Sequence, residues 1–250
     1  MKLTILGSGT NLHPRRAGAG YLIETDRPFL LDFGPRTLMN LLKTGVDRHR
    51  IGHILFSHFH ADHFSDFITF FFDAVYHSRF VGRRPPLTII GPRGTRRLFR
   101  AILDGFPSFS SAPFRVSLRE VGPTPFRIGA ARITPAPVTH SRRLHCLGYR
   151  IDYRGRSLAY SGDSEYCDSL VRLCRDADTA VLDCSFPTSR PGPAHMHAGQ
   201  CGRVAREAGV RRLILSHFYP AADRSDVARQ ARREYRGQVL KARDLLRLEI

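Results

Sequence analysis

The sequence predicts an α+β protein in which two β-sheets pack face to face and carry helices on their outer sides. Short strand-like runs separated by turn residues dominate the first half of the chain, and helical stretches interrupt both halves. This pattern does not suit a single parallel, doubly wound sheet, in which strands and helices would alternate regularly. The 250 residues show no internal repeat and no linker-like segment, so we expect one domain spanning residues 1–250.

Each predicted strand is a short apolar run that ends at glycine, proline or polar turn residues. The predicted strands are Leu3–Leu6, Tyr21–Glu24, Phe29–Asp32, Ile51–Ser57, Leu87–Ile90, Ala131–Thr134, Tyr149–Tyr153, Ser157–Tyr160, Ala180–Asp183 and Arg212–Ser216. Apolar residues at helical spacing predict helices over Arg36–Thr44, Arg93–Leu103, Cys167–Arg175, Gly199–Ala208 and the charged segment from Asp223 onward. The Pro-rich stretches Pro107–Pro125 and Ser185–Pro193 are predicted surface loops.

The charge balance favours anionic partners. The chain has 39 Lys or Arg against 22 Asp or Glu, a formal net charge of +17. Such a surface attracts nucleic acids, nucleotides and phosphate esters more than cations. Lysine occurs only at positions 2, 43 and 241, so a coding bias towards arginine is a competing explanation for part of the charge.

Composition also narrows the class of protein. A hydrophobic fraction of 42% and a charged fraction of 24% exclude bulk disorder. No apolar run approaches the roughly 20 residues that cross a bilayer. The apolar stretch among the first residues is too short for a signal peptide. The 5 cysteines contain no C-x-x-C pair and are typical of reduced thiols. We therefore expect a cytoplasmic protein without a membrane segment.

Four potential metal ligands lie within six residues at the end of a buried strand. His58 and His60 are two residues apart, so in extended backbone both point to the same side. If a helix begins near Asp62, then Asp62 and His63 turn towards the same end of the sheet. Imidazole nitrogens and carboxylate oxygens are donors that Zn²⁺, Mn²⁺ and Fe²⁺ accept. A polar loop that happens to be rich in histidine is the competing interpretation.

The order His-x-His-x-Asp-His at a strand end resembles the signature of the metallo-β-lactamase superfamily. The resemblance extends from Leu3 to His217 and implies a four-layer αββα sandwich with a dinuclear site along one edge. It implies three further ligands, His140, Asp163 and His217, each at the end of a later strand. By resemblance, one metal ion is held by His58, His60 and His140, the second by Asp62, His63 and His217, and Asp163 bridges the two.

The implied ligand set defines the expected chemistry. Two divalent cations, with zinc expected ahead of manganese or iron, can share a water and lower its pKa, so that hydroxide becomes available as the nucleophile. The same ions polarise the ester oxygen under attack. No serine or cysteine nucleophile is then needed, and the chain contains no Gly-x-Ser-x-Gly motif.

Several segments are more similar to the ribonuclease Z branch than to β-lactamases: Leu6–Thr10, Leu31–Gly34, Leu87–Gly94 and His195–Ala198. In that branch a histidine just before the helix that corresponds to Gly199–Ala208 handles a proton, and alignment on Ala198 assigns this role to His195 with Asp183 as its carboxylate partner. Together with Asp62, these are the candidate catalytic residues. The arm that grips tRNA in this branch has no counterpart, because only 23 positions separate His140 from Asp163 and leave room for a hairpin alone.

The leading hypothesis is therefore a dinuclear-metal-dependent phosphodiesterase acting on an anionic ester, with RNA as one candidate substrate. A tRNA 3′-end endonuclease and a hydrolase of sulfate esters, lactones or thioesters remain alternatives on the same metal site. A non-catalytic nucleic-acid-binding protein is the alternative outside enzymes, with phosphate contacts from arginine clusters at Arg79–Arg84, Arg93–Arg100 and Arg229–Arg236. The aromatic run Phe67–Phe80 predicts a core helix, with an aromatic wall of the cleft or, by resemblance, a homodimer surface at its rim as the alternatives.

Overall fold

Two mixed sheets of seven strands each form the centre of the fold. The structure, a computed structural model, describes residues 1–11, 13–81 and 86–250. The first sheet contains β1 (Lys2–Gly7), β2 (Gly20–Glu24), β3 (Phe29–Phe33), β4 (His53–Leu55), β5 (Leu87–Gly91), β6 (Val116–Glu120) and β14 (Arg247–Glu249). The second contains β7 (Phe126–Ile128), β8 (Ala131–Pro137), β9 (Leu147–Tyr153), β10 (Arg156–Tyr160), β11 (Thr179–Asp183), β12 (Arg212–Ser216) and β13 (Gln238–Lys241).

Each sheet changes from antiparallel to parallel pairing near its middle. In the first sheet the order is β14-β1-β2-β3-β4-β5-β6, and the strands from β3 to β6 are parallel. In the second the order is β13-β12-β11-β10-β9-β8-β7, and the strands from β10 to β13 are parallel. The carboxyl ends of parallel strands meet at one edge of a sheet, where side chains from separate chain segments can converge.

Helices cover the outer faces of both sheets. The described helices are α1 (Thr37–Lys43), α2 (Ala61–Phe64), α3 (Asp66–Val81), α4 (Thr95–Gly105), α5 (Asp168–Leu173), α6 (Ala198–Glu207), α7 (Pro220–Asp223) and α8 (Val227–Arg232), with 3₁₀ turns at Arg48–Arg50 and Pro107–Ser111. The buried side of α3 and α4 packs on the first sheet, and α6 packs on the second. None of the described helices has the length and apolarity that a bilayer-spanning segment requires.

The core between the sheets is built from alternate residues of their strands. Leu3, Tyr21 and Leu31 of the first sheet belong to the same buried cluster as Ile133 and Tyr149 of the second. A separate cluster lies between the first sheet and its helices. The predicted α+β class and the four-layer αββα arrangement are thus confirmed, since a helix layer lies outside each of the two packed sheets.

The structure corrects three details of the predicted elements. The segment after Asp223 is not one helix, because α7 and α8 are followed by the edge strands β13 and β14. The stretch Pro107–Pro125 is not a loop throughout, because β6 lies within it. These first two errors concern the edge strands β6, β13 and β14, whose polar, half-exposed residues do not give the apolar pattern of a buried strand. The strand predicted over Ile51–Ser57 is confined to β4, because its last residues turn towards the histidine cluster.

Gly34 fixes the distance between the end of β3 and the helix α2 that carries Asp62. A Cβ added at Gly34 would overlap the backbone oxygen of Asp62 and lie 3.0 Å from the backbone oxygen of Ala19. Both are backbone atoms, which cannot rotate aside as a flexible side chain would. We therefore expect Gly34→Ala to lower the free energy of unfolding by about 1–3 kcal/mol, measured by urea denaturation.

Gly122→Ala is the matched control, because an added Cβ there meets nothing within 4 Å. Its unfolding free energy should stay within about 0.5 kcal/mol of the parent protein. Equal stabilities of the two variants would contradict the close packing of Gly34 against Asp62 of α2.

Candidate metal centre

The carboxyl end of β4 leads into the histidine cluster. His58 is fully buried and His60 is exposed, and α2 then begins directly after His60. Nε2 of His58 lies 3.1 Å from Nδ1 of His60, which in turn lies 3.1 Å from Nε2 of His140. These three imidazoles, contributed by the β4–α2 loop and the segment after β8, form the first of two groups.

A second group faces the first across a short distance. Nε2 of His63 lies 3.2 Å from Nε2 of His217, and a carboxylate oxygen of Asp62 lies 3.4 Å from the same His217 atom. Asp62 and His63 lie on α2, whereas His217 directly follows β12 of the other sheet. The second group is thus assembled from both sheets.

Asp163 lies between the two groups and directs one oxygen towards each. Its Oδ2 is 3.6 Å from Nε2 of His58 and 3.6 Å from Nε2 of His140. Its Oδ1 is 3.0 Å from Nε2 of His63 and 3.3 Å from Nε2 of His217. Although Oδ1 is buried and close to these nitrogens, it accepts no hydrogen bond of proper geometry among the described residues. All seven predicted ligands therefore lie in one cluster, with a carboxylate in the bridging place.

Hydrogen bonds outside the cluster orient four of the five imidazoles. Nδ1 of His63 donates to Asp32 Oδ2 at 2.7 Å, and Nδ1 of His140 donates to the Ala194 carbonyl at 2.7 Å. The Ser57 hydroxyl donates its proton to Asp32 at 2.6 Å, so at 3.0 Å it accepts from Nδ1 of His58. Each ring thereby carries its proton on Nδ1 and turns the Nε2 lone pair inward.

His217 is held in the same way from the second sheet. The Ser185 hydroxyl donates to Asp183 Oδ1 at 2.6 Å and accepts from Nδ1 of His217 at 3.1 Å. The exception is His60, which presents Nδ1 to the cluster. Imidazole lone pairs and carboxylate oxygens converging from two sides are a donor set that fits two divalent cations.

Asp32 is the central support of the cluster and was not among the predicted site residues. Its buried carboxylate accepts from the Ser57 amide at 2.7 Å, the Ser57 hydroxyl, His63 and the Tyr160 hydroxyl at 2.5 Å. Tyr160 ends β10, so this residue also ties the first sheet to the second. An aspartate at the end of the otherwise apolar strand Phe29–Phe33 was the available signal in the sequence.

Three residues of the site adopt left-handed backbone conformations. The φ angles are +52° at Asp32, +62° at His217 and +64° at Ala194, and none of the three is glycine. Such conformations cost about 1–3 kcal/mol each and persist where the surroundings enforce them. Here the strained residues include a proposed ligand and two residues that orient other imidazoles.

Burial and the neighbouring charges lower the pKa values of some proposed ligands and raise those of others. Burial and the neighbouring His63 lower the pKa of His58 well below its usual range. Burial also disfavours a charged His63, but Asp163 and Asp32 outweigh it and raise the pKa of His63 to about 10. Although burial opposes its ionisation, Asp163 has its pKa held well below the usual range by His217 and His63. The carboxylates therefore keep positive charge in the cluster, as protons on the histidines or as metal cations.

The predicted pair His195 and Asp183 is formed beside the cluster. Nδ1 of His195 donates to Asp183 Oδ2 at 2.7 Å and lies 3.9 Å from Asp163 Oδ2. The other oxygen of Asp183 accepts from the Ser185 amide at 3.1 Å, so the carboxylate is fixed on both sides. With Nδ1 occupied, Nε2 of His195 is the nitrogen that remains for a substrate. The ring of Tyr219 lies edge-on to His195, with centroids 5.9 Å apart, and is a further neighbour that the sequence did not indicate.

Asp32→Asn tests the dependence of the cluster on its buried support. The side-chain amide keeps the shape of the carboxylate but cannot accept from all of its donors, so the His63 ring loses its fixed orientation. We expect zinc affinity to fall by about 10–100-fold, measured by competition with a chelating dye. The control is Asp152→Asn, which removes a half-exposed carboxylate paired with Arg150. Equal zinc affinity in the two variants would show that Asp32 does not orient the ligands.

Comparison with known proteins agrees with this geometry. A family model described as the Beta-lactamase superfamily domain matches residues 27–218. The uncharacterised protein ML1173 of Mycobacterium leprae is 36% identical over 248 residues, which cover 96% of this chain and 85% of that protein. Ribonuclease Z of Mycobacterium avium is 30% identical over 277 residues, which cover 100% of this chain and 98% of that protein.

Solved structures show the same fold over the whole chain. The metallo-β-lactamase fold protein YhfI from Bacillus subtilis superposes with a TM-score of 0.86 at 25% identity, covering 100% of this chain and 99% of that chain. The short form of human tRNase Z gives a TM-score of 0.81 at 22% identity, with 100% and 99% covered, which supports the fold alone. The chain is therefore a metal-dependent hydrolase that belongs to the metallo-β-lactamase superfamily, in its ribonuclease Z-like branch.

Proposed function

We propose that this hydrolase is a two-metal phosphodiesterase. His58, His60 and His140 would hold one ion, Asp62, His63 and His217 the other, and Asp163 would contact both. The proposal rests on the orientation of the Asp163 carboxylate, which directs one oxygen towards each histidine group. Five imidazoles with two carboxylates favour zinc, and they also suit manganese or iron.

Two ions held in these groups would supply hydroxide at neutral pH and neutralise negative charge that develops on a phosphate. The protein itself positions the reacting groups around them. Asp62 is half-buried at the rim of the second group, where its pKa is lowered by His217 and His63 against the opposing effect of burial. It is the carboxylate that stays ionised at the entrance, and we assign it a catalytic as well as a ligand role.

His195 is the candidate proton donor to the leaving oxygen. Its Nδ1 is fixed on Asp183, which leaves Nε2 as the atom that can deliver a proton. Asp183 is buried and holds the ring through a single short contact, so the pair acts as one oriented unit. This arrangement resembles the acid–carboxylate pairs in which the second residue sets the tautomer of the first.

The substrate class is argued from charge and from the walls of the site. A net charge of +17 favours an anionic ester. Relatives of nearly equal length are named ribonuclease Z, which supports RNA as one candidate. The segment between His140 and Asp163 is filled by the β9–β10 hairpin, with Tyr153 paired to Arg156, and carries no extended arm. We therefore rank a small or short phosphodiester above precursor tRNA.

Zinc-loaded protein is expected to hydrolyse bis(p-nitrophenyl) phosphate, measured by release of p-nitrophenolate. His140→Ala removes a ligand of the first group and should lower kcat by about 100-fold or more, because loss of one metal removes charge stabilisation worth several kcal/mol. His53→Gln is the control, since His53 begins β4 at the end opposite the cluster. Parallel loss of activity in both variants, or no hydrolysis by any zinc-, manganese- or iron-loaded sample, would refute the proposed function.

His195→Gln separates proton donation from metal chemistry. A leaving alkoxide needs a proton, whereas p-nitrophenolate leaves without one. The variant should therefore lose about 100-fold or more in kcat on a dialkyl-type ester such as a dinucleotide, and far less on the aryl ester. Asp183→Asn should show the same extra loss on the dinucleotide together with a loss common to both esters, because Asp183 also holds the Ser185 hydroxyl that orients His217. A loss that is equal for both esters would assign His195 to structure alone.

Precursor tRNA is the substrate that distinguishes a tRNA 3′-end endonuclease, the second candidate function, from a phosphodiesterase that acts on small esters. Incubation with zinc-loaded protein and sizing of the product should leave this RNA intact while the diester is cleaved. Cleavage at the 3′ end of the tRNA body would instead establish the endonuclease and show that a protruding arm is not needed here.

A further inference from the structure

A cavity rich in arginine opens beside the metal centre. It has a volume of about 770 Å³, and its lining includes Arg93, Arg96, Arg97 and Arg100 of the α4 region and Arg143 of the loop after β8. We call this cavity the arginine groove. Glu120 is the one carboxylate among its lining residues, so five guanidinium groups face a single negative charge. The predicted cluster Arg93–Arg100 is thus directed at one space, whereas the arginine side chains of the predicted cluster Arg79–Arg84 lie outside the described residues.

The groove adjoins two segments that carry proposed ligands. Phe59 lines it, and this residue stands between the proposed ligands His58 and His60 in the chain. Leu144 and His145 also line it, a few residues after the proposed ligand His140. A chain-like substrate bound at the metal centre could therefore extend into it.

The arginines of the groove lack the carboxylate partners that several other arginines of the protein have. Arg16, Arg48 and Arg206 each form an ion pair of 2.6–2.9 Å with a carboxylate. Within the described part of the chain, none of the five groove arginines forms an ion pair within 4.0 Å or a side-chain hydrogen bond. Glu120 accepts from the backbone amides of Gly94 and Arg96 at 2.9 and 3.1 Å, and its one negative charge offsets only part of the charge of the five arginines.

This arrangement is unfavourable without an anion. Arg96 and Arg100 are spaced four residues apart on α4, where like charges repel by about 0.2–0.5 kcal/mol. The opposite face of α4 is apolar and buried through Phe99 and Ile102. The helix therefore directs its three arginines, Arg96, Arg97 and Arg100, into the groove.

We infer that the arginine groove binds a second phosphate of the substrate, next to the phosphodiester that is cleaved. This inference rests on the proposed function and adds a substrate class, namely a short oligonucleotide rather than a diester with a single phosphate. Guanidinium groups bind phosphate oxygens through paired hydrogen bonds. A volume of about 770 Å³ is typical of a small-ligand site rather than of a surface for a folded RNA.

The test uses zinc-loaded protein and a fluorescein-labelled tetranucleotide with phosphorothioate linkages, which keeps its charges and resists cleavage. The double variant R96Q/R100Q should bind this probe about tenfold more weakly by fluorescence anisotropy, because phosphate binding dominates such affinities. The slope of log affinity against log salt should become shallower by about 0.7 for each phosphate that the variant no longer neutralises. R96K/R100K keeps the charges and should restore most of the affinity. Ribose and deoxyribose versions of the probe identify which nucleic acid is preferred.

R229Q/R233Q is the matched control, since it removes the same charge from exposed positions at α8. Its affinity should stay within about twofold of wild type, because only charges near the bound phosphates contribute strongly. Equal weakening in the two double variants, or none in R96Q/R100Q, would overturn the assignment and leave the groove as a solvated surface.

A separate measurement distinguishes this inference from the proposed function. If wild-type protein fails to hydrolyse bis(p-nitrophenyl) phosphate, the phosphodiesterase proposal fails whatever the probe does. If that ester is hydrolysed and R96Q/R100Q binds the tetranucleotide as tightly as wild type, only the groove assignment fails. If R96Q/R100Q also loses selectivity for a trinucleotide, which carries a second phosphate, over the aryl ester, the groove acts on the substrate of the same site.

Discussion

The buried carboxylate of Asp32 is the interaction on which the site depends. It stands at the end of β3 and accepts hydrogen bonds from Ser57 in the next loop, from His63 on α2 and from Tyr160 on the second sheet. Removing an ionised carboxylate from water costs several kcal/mol, which only well-placed donors offset. Because these donors come from both sheets, the same contact joins the layers of the sandwich and fixes the proposed ligands.

A common principle governs the imidazoles around it. An acceptor on the outer side of each ring holds the Nδ1 proton, and the inner nitrogen is then free to bind a cation. The acceptors are of different kinds, including the Asp32 carboxylate, the Ala194 carbonyl and the hydroxyls of Ser57 and Ser185. The two hydroxyls are themselves fixed by buried carboxylates, Asp32 and Asp183. Disturbing Asp32 should therefore reach the cluster through His58 and His63, and disturbing Asp183 through His217.

The sequence allowed prediction of much of this site because its residues are concentrated in a short motif. His58, His60, Asp62 and His63 could be identified from spacing and chemistry alone, whereas His140, Asp163 and His217 required the resemblance to a known family. Their convergence depends on strand order, which local spacing does not determine. Asp32 lies in a turn that resembles one in the same family, but the sequence did not indicate that it supports the ligands. A single aspartate near a strand end has many local explanations. The carbonyl of Ala194 could not have been predicted, because its contribution arises from backbone conformation.

The fold was predictable to a similar degree and for related reasons. Buried strands carry continuous apolar runs, and helices such as α6 carry a periodic apolar face, so both are visible in sequence. The edge strands β6, β13 and β14 are short and polar, and their pairing depends on neighbours that are distant in the chain. The convergence of the arginines on one cavity could not be predicted either. Their spacing along α4 can be read from the sequence, but the position of Arg143 relative to that helix cannot.

The central claim is that Asp163 separates two cation sites within one cluster. Anomalous diffraction from crystals of the zinc-loaded protein, collected on both sides of the zinc absorption edge, tests it most directly. We predict two anomalous peaks, one among His58, His60 and His140 and the other among Asp62, His63 and His217, with one Asp163 oxygen next to each. A single peak, or peaks away from these residues, would contradict the account.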